Sequence, residues 1–170
     1  MLKVATKQEK ALLKFLQNAK TSKTKRFTDF IHLVEFRNEK YLVTTDGHRL
    51  HAITPNIDIN SDKTIFDTAN SFIYPIEDEV LGVPNFNLTL EDRLDREPLY
   101  EETLYEDKMF IIGRIIIKSH QLNEAIFYRS DFLDKALNDI NTTGVKIKYY
   151  EDYIVLYFNV YSYKAFAIIM

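Results

Sequence analysis

Apolar residues recur at helical spacing near the beginning of this chain. Between Lys7 and Lys20 the apolar side chains fall on one side of a helix, while lysine, glutamine and asparagine fall on the other. Thr6 followed by Glu9 has the capping-box spacing that marks a helix start. The pattern predicts a strand at Met1 to Thr6 and then an amphipathic helix with a cationic exposed face.

Runs rich in β-branched and aromatic residues follow this helix. Phe27 to Phe36 and Tyr41 to Thr45 are joined by a polar connection of hairpin length, and Leu50 to Ile53 continues the sheet. Further along, the isoleucine-rich segment Phe110 to Lys118 predicts another strand.

The last third repeats the order of the first. Ser130 caps a predicted helix over Asp131 to Ile140. The three strands predicted after it are Val145 to Tyr150, Tyr153 to Phe158 and Lys164 to Met170. We therefore predict an α+β fold: one domain over residues 1–170, built from a duplicated βαβββ unit with half-repeats at about 1–53 and 125–170, its two helices packed on antiparallel sheet.

Charge is distributed unevenly along the chain. Residues 77–107 hold eleven acidic side chains and only two basic ones. Out of totals of 22 basic and 25 acidic residues, this leaves 20 basic against 14 acidic elsewhere, or about +6. We interpret the acidic stretch as a solvated insertion into an otherwise basic protein, although a loop that binds a partner stays open.

The residue types present argue against an enzyme. The chain has no cysteine, which excludes disulfides, thiolate catalysis and cysteine-bound zinc. It has no glycine-rich phosphate loop and no nucleophile elbow. His48 and His51 lie near Asp46, but no third ligand stands at a recognisable spacing, so we expect no metal and no cofactor. Apolar runs are too short to cross a bilayer and no signal segment is evident, so we expect a soluble cytoplasmic protein.

The six residues from Thr45 to Leu50 carry the most specific pattern. Asp46-Gly47 is a turn signal, because glycine adopts positive φ without strain and aspartate caps its own turn. A turn does not require His48 and Arg49 to follow. These residues either pack locally at an exposed hairpin end or form a surface for a partner.

The string Val43 to Leu50 (VTTDGHRL) resembles a turn in the middle domain of bacterial DNA polymerase III β subunits, the sliding clamps of replication. Clamp domains are duplicated βαβββ units, and the stretches Phe132 to Leu137 and Ala165 to Met170 are similar to the last half-domain of such clamps. Bacterial clamps carry three domains per chain, and two chains close a ring of six domains. A ring built from chains with one domain's length would therefore need about six copies.

The resemblance implies a nonenzymatic processivity factor of DNA replication whose turn receives short peptides from replication proteins. Glycine lets a peptide approach, Leu50 offers an apolar floor, and the stem of Arg49 forms a wall. Pocket roles are implied for Thr45, Gly47, His48, Arg49, Leu50, Pro84, Ile168 and Met170. We expect assembly of a homo-oligomer through exposed sheet edges. The alternative is a regulator or decoy that uses the same fold without encircling DNA.

Double-stranded DNA is the second implied partner, contacted through its backbone without sequence preference. The residues predicted to contact it are Lys7, Lys10, Lys14, Lys23, Lys25 and Arg26. A solvated surface explains the same lysines equally well. The predicted second helix exposes Asp131 and Asp134, which argues against DNA on that side.

Overall fold

The computed structural model describes residues 2–20, 26–55, 63–69, 71–77, 79–138 and 144–170. Within them the helices are α1 (Lys7–Gln17), α2 (Phe86–Leu94), α3 (Lys108–Leu122) and α4 (Ser130–Ala136). The strands are β1 (Leu2–Lys3), β2 (Ile31–Phe36), β3 (Glu39–Thr45), β4 (Arg49–Ile53), β5 (Ile65–Ala69), β6 (Phe72–Pro75), β7 (Tyr100–Leu104), β8 (Val145–Tyr149), β9 (Ile154–Val160) and β10 (Tyr163–Ile169). No described helix is long and apolar enough to cross a membrane.

The described strands form one antiparallel sheet in the order β1-β6-β5-β2-β3-β4-β10-β9-β8-β7. Strands β2–β4 of the first third and β8–β10 of the last third meet where β4 pairs with β10, with Arg49 opposite Ile169 and Ile53 opposite Ala165. This junction places the segment after Thr45 beside the final strand, although the two are far apart in sequence.

Helices cover the two faces of the sheet unequally. Apolar residues of α1, α3 and α4 share one core with the sheet, and we call that side the three-helix face. Residues of α2 share a second core with the other side, which we call the α2 face. Because successive strand residues point to opposite faces, neighbouring residues on β4 contribute to different cores.

Helix α1 confirms the predicted capping box. The Thr6 hydroxyl accepts a hydrogen bond from the Glu9 amide, and the Glu9 carboxylate accepts one from the Thr6 amide, each at 3.1 Å. Two buried sheet side chains hold the other end of α1: Thr44 Oγ1 donates to the Leu16 carbonyl at 2.6 Å, and His51 Nδ1 donates to the Phe15 carbonyl at 2.8 Å. The exposed face of α1 is thereby fixed relative to the sheet.

The strand predicted at Phe110 to Lys118 is wrong, because this segment lies inside helix α3. The Asp107 carboxylate caps that helix by accepting from the Phe110 amide at 2.9 Å. The two helices predicted for the half-repeats are present as α1 and α4, and the described residues contain two more, α2 and α3, between them. The predicted end of the second helix, at Ile140, lies outside the described residues.

The acidic stretch is more ordered than a solvated insertion. It contains α2 and the edge strand β7, which pairs with β8. Glu102 on β7 accepts hydrogen bonds from Arg114 of α3 at 3.0 Å and from the Tyr149 hydroxyl at 2.9 Å. Part of the acidic charge therefore joins β7 to α3 and β8.

Candidate functional site

The turn between β3 and β4 is closed by side-chain hydrogen bonds. Asp46 Oδ1 accepts from the backbone amides of His48 and Arg49 at 2.9 and 3.0 Å. Thr45 Oγ1 donates to the Arg49 carbonyl at 2.6 Å and accepts from the Gly47 amide at 3.1 Å. Gly47 has φ +91°, a conformation that strains any residue with a Cβ. These contacts and this backbone conformation explain why the string has Thr45, Asp46 and Gly47 at these positions.

Arg49 lies against the three-helix face, almost out of solvent. Its Nε donates to Asp46 Oδ2 at 3.1 Å, and the two side chains are only 8% and 11% exposed. Its guanidinium lies 4.1 Å from the ring centroid of Phe132 on α4, and Arg129 stacks on the same ring at 4.6 Å. Arg49 therefore links the turn to α4. Its Nη1 is buried without a hydrogen-bond partner among the described residues.

Leu50 points to the opposite side of the sheet from Arg49. It pairs with Ile168 of β10, and both are buried in the core of the α2 face. The floor and wall that the sequence implied for one pocket thus lie on different faces. Leu50 is 6% exposed, so it offers a ligand little surface unless a neighbour moves.

The end of the chain meets this turn. The Met170 amide donates to the His48 carbonyl at 3.0 Å, and the Met170 side chain is 46% exposed. Gly47 and His48 are also exposed. We call these three residues, Gly47, His48 and Met170, the turn patch. It is the part of the implied pocket that is open to solvent, and the buried residues of the string position it.

Pro84 is half-buried in the loop that precedes α2, and α2 packs on β2, two strands away from β4. Residues of α2 share the core of the α2 face with Leu50 and Ile168. The structure brings Thr45, Gly47, His48, Arg49, Leu50, Ile168 and Met170 to one end of β4 and β10, and Pro84 precedes the helix that packs on the same core.

His48 of the string and His51, the residue that directly follows it, differ in burial and in role. His48 is exposed on the turn, whereas His51 is fully buried and stacks on the Phe15 ring at 4.5 Å. Burial lowers the pKa of His51 to about 4, partly offset by its bond to the Phe15 carbonyl. His51 is thus neutral at pH 7 and anchors α1. The described residues contain no group of three or more His, Asp or Glu placed to hold a metal ion.

The basic residues implied for DNA contact divide into three sets. Lys7, Lys10 and Lys14 are all exposed on α1. Arg26 is exposed before β2, in a bridge to Leu81. Lys23 and Lys25 lie outside the described residues. The helix thus presents three lysines together, and only Arg26 of the following loop can be placed beyond them.

Helix α4, beside α1, carries the acids that argued against DNA. Asn18 at the end of α1 donates to the Lys135 carbonyl of α4 at 3.3 Å, which shows that the helices adjoin. Asp134 pairs with Lys108 of α3 at 2.7 Å, and Asp131 accepts two bonds at 3.0 Å from Arg129. Each of these two carboxylates is paired with a basic side chain, so the negative charge of Asp131 and Asp134 is balanced on the three-helix face.

Two contacts that shape this site are not predicted by the sequence. No sequence signal ties Phe132 to Arg49, because the contact joins distant elements. Asp46 is predicted to form the turn, but not to bind Arg49. Its spacing three residues before Arg49 was the available signal that the same carboxylate could also hold a guanidinium.

Comparison with solved structures identifies the fold. The Helicobacter pylori beta clamp, solved in complex with 3,4-difluorobenzamide, matches with a TM-score of 0.60 and 13% identity, covering 99% of this chain and 65% of that one. The DNA polymerase III beta chain of Streptococcus pneumoniae TIGR4 matches with a TM-score of 0.59 and 12% identity, covering 95% and 61%. The chain thus spans less than two thirds of either structure's length. No protein-family model and no curated protein matches it. The α+β prediction and the resemblance to the clamp fold are confirmed.

Proposed function

We propose that this chain is a sliding-clamp-like protein of DNA replication, which holds duplex DNA through α1 and captures replication proteins at the turn patch. It acts by binding, in the cytoplasm, without a catalytic group, cofactor or metal. Assembly into a homo-oligomer, through the sheet edges at β1 and β7, would let a chain of this size surround DNA.

One observation carries the proposal. In a sheet with the clamp fold, the residues of the Thr45–Leu50 string and the end of β10 meet, joined by the bond from the Met170 amide to the His48 carbonyl. The meeting produces an exposed surface of glycine, histidine and methionine above a buried apolar layer that includes Leu50 and Ile168.

Methionine suits such a surface, because its flexible thioether adapts to different apolar side chains. Gly47 leaves backbone uncovered, since a Cβ at that position would meet nothing within 4 Å. An extended peptide can therefore lie close to the main chain here, with one apolar side chain against Met170. Arg49 supports the turn from behind, through Asp46, rather than contacting the peptide.

The α1 face supports contact with DNA. Lys7, Lys10 and Lys14 lie along one exposed side of a rigidly anchored helix, and the neighbouring acids of α4 are already paired. Cationic side chains held on one surface neutralise phosphates without reading sequence, and each released counterion makes binding more sensitive to salt.

Duplex binding tests this half of the proposal. The chain should bind a duplex of arbitrary sequence, with an affinity that falls steeply as salt rises. Lys7→Glu with Lys10→Glu should weaken binding about tenfold or more at low salt and reduce the slope of log K against log salt by about 2. Fluorescence anisotropy of a labelled duplex across a salt series measures both quantities.

A matched double variant controls for net charge. Lys146→Glu with Lys164→Glu makes the same charge change on exposed residues of the α2 face, away from α1. It should leave the salt slope close to that of the parent. Equal loss in both double variants would show that net charge alone governs binding, and absence of salt-dependent binding would favour the regulator that does not encircle DNA.

A further inference from the structure

Helix α3 has an apolar face that its own chain leaves uncovered. Met109 is 72% exposed, Phe110 52%, Ile116 38% and Ile117 56%. At 100° per residue these four side chains fall within about 120° of one another, so they share one side of the helix. Large apolar residues scattered singly are ordinary on a surface, but a contiguous stripe of them is typical of an interface.

The opposite side of α3 packs inside the chain. Ile111, Ile112, Ile115 and Ser119 are buried on the three-helix face. The cations are also engaged: Lys108 with Asp134, Arg114 with Glu102, and Lys118 over the ring of Tyr100 at 4.0 Å. The stripe therefore carries no unpaired charge that would oppose burial.

The stripe is symmetric about Gly113. Met109 and Phe110 stand four and three residues before this glycine, and Ile116 and Ile117 stand three and four after it. An antiparallel copy crossing at Gly113 would set each isoleucine pair against the Met–Phe pair of the other helix. Such a contact is isologous, with the same surface used by both partners.

Gly113 itself is unexplained within one chain. A Cβ added there would meet nothing within 4 Å, and alanine is the better helix former. A glycine at the crossing point would let two helix backbones approach closely. The position is thus accounted for by a second helix rather than by the packing of the chain itself.

The stripe has about the area that a dimer needs. Phe127 extends it, being 79% exposed and packed on the ring of His120, an exposed α3 residue, at 5.6 Å. If each large apolar side chain carries about 150–250 Å², the exposed parts of these five sum to on the order of 600 Å² per copy. A standard interface buries roughly 800 Å² per partner.

We propose that α3 is a self-association surface, through which two copies of this chain pack their stripes antiparallel with Gly113 at the crossing. The contact uses the exposed side of a helix rather than the unpaired strand edges of β1 and β7, and no residue of α1 or of the turn patch takes part in it. It would join subunits in pairs.

Sedimentation equilibrium of the full chain across micromolar concentrations tests the surface. The parent should dimerise, and Ile117→Asp should weaken the dimer at least about 100-fold, because a charge would be buried between two apolar stripes. Leu88→Asp makes the same change at an exposed apolar residue of α2 and should dimerise like the parent. A monomeric parent, or a dimer that Ile117→Asp does not weaken, overturns the proposal.

Cross-linking tests the geometry at the crossing, because a disulfide forms only where two Cβ atoms come within about 4 Å of each other. Because the chain has no cysteine, Gly113→Cys introduces a single thiol at the crossing. Mild oxidation should convert most of this variant to a disulfide dimer, whereas Leu88→Cys should stay largely reduced. Equal cross-linking of the two variants would show random collision and would overturn the antiparallel arrangement.

Discussion

Replacing Asp46 by alanine should lower the free energy of unfolding by about 3–5 kcal/mol, the range for removing one partner of a buried ion pair. The Asp46 carboxylate accepts three hydrogen bonds from two residues, including the one from Arg49 Nε. Without this carboxylate the Arg49 guanidinium would stay buried against the Phe132 ring, with no negative charge to balance it among its contacts described above. Urea denaturation followed by circular dichroism measures the change.

Two variants show where such a loss arises. Asp46→Asn keeps the oxygen that caps the turn but removes the charge facing Arg49, so it should fall between the parent and Asp46→Ala. Asp95→Ala removes an exposed carboxylate that pairs with Arg37, and it should cost less than about 1 kcal/mol. If Asp46→Ala were as mild as Asp95→Ala, the turn would not depend on this ion pair.

Acidification should destabilise the fold through His51. Burial lowers the pKa of His51 to about 4, whereas an unfolded histidine titrates near 6.5. Below pH 6.5 the unfolded chain therefore binds a proton that the folded chain refuses. The free energy of unfolding therefore keeps its full contribution from neutral His51 above about pH 6.5. It falls by about 1.4 kcal/mol per pH unit toward pH 4, up to roughly 3 kcal/mol in all.

His51→Asn separates this effect from other titrations. An asparagine amide can reproduce the donor that His51 Nδ1 offers to the Phe15 carbonyl, but it does not titrate. Free energies of unfolding measured between pH 7 and pH 4.5 should fall more steeply in the parent than in the variant. Parallel curves would mean that His51 is not the responsible group, leaving His32, whose pKa burial also lowers.

The sequence predicted the ends of the fold better than its middle. Helix α1 has one apolar face and a capping box, so the spacing of its apolar residues and its capping residues define it. Strands β8, β9 and β10 are consecutive antiparallel strands separated by clear turns. Helix α3 is apolar on two sides, one for the core and one for solvent. Its run of isoleucines therefore lacks the period that separates helix from strand. Only Asp107, as a cap, indicated a helix.

The candidate site shows the same limit. The string at Thr45 predicted a structured turn, and the hydrogen bonds of Asp46 and Thr45 account for it. Sequence alone could not assign Arg49 and Leu50 to opposite faces, because that depends on where β4 begins. Nor could it bring Met170 to His48, since this contact follows from the β4–β10 pairing.

Peptide binding at the turn patch tests the central claim most directly. A fluorescent peptide carrying the clamp-binding motif of a bacterial replicative polymerase would be titrated with the parent, with His48→Glu plus Met170→Glu, and with Leu88→Glu. Both altered patch residues are exposed, so the fold should survive. We expect saturable binding by the parent and Leu88→Glu, and at least about tenfold weaker binding by the patch variant. No saturable binding by the parent, or equal affinity of all three proteins, would contradict the account.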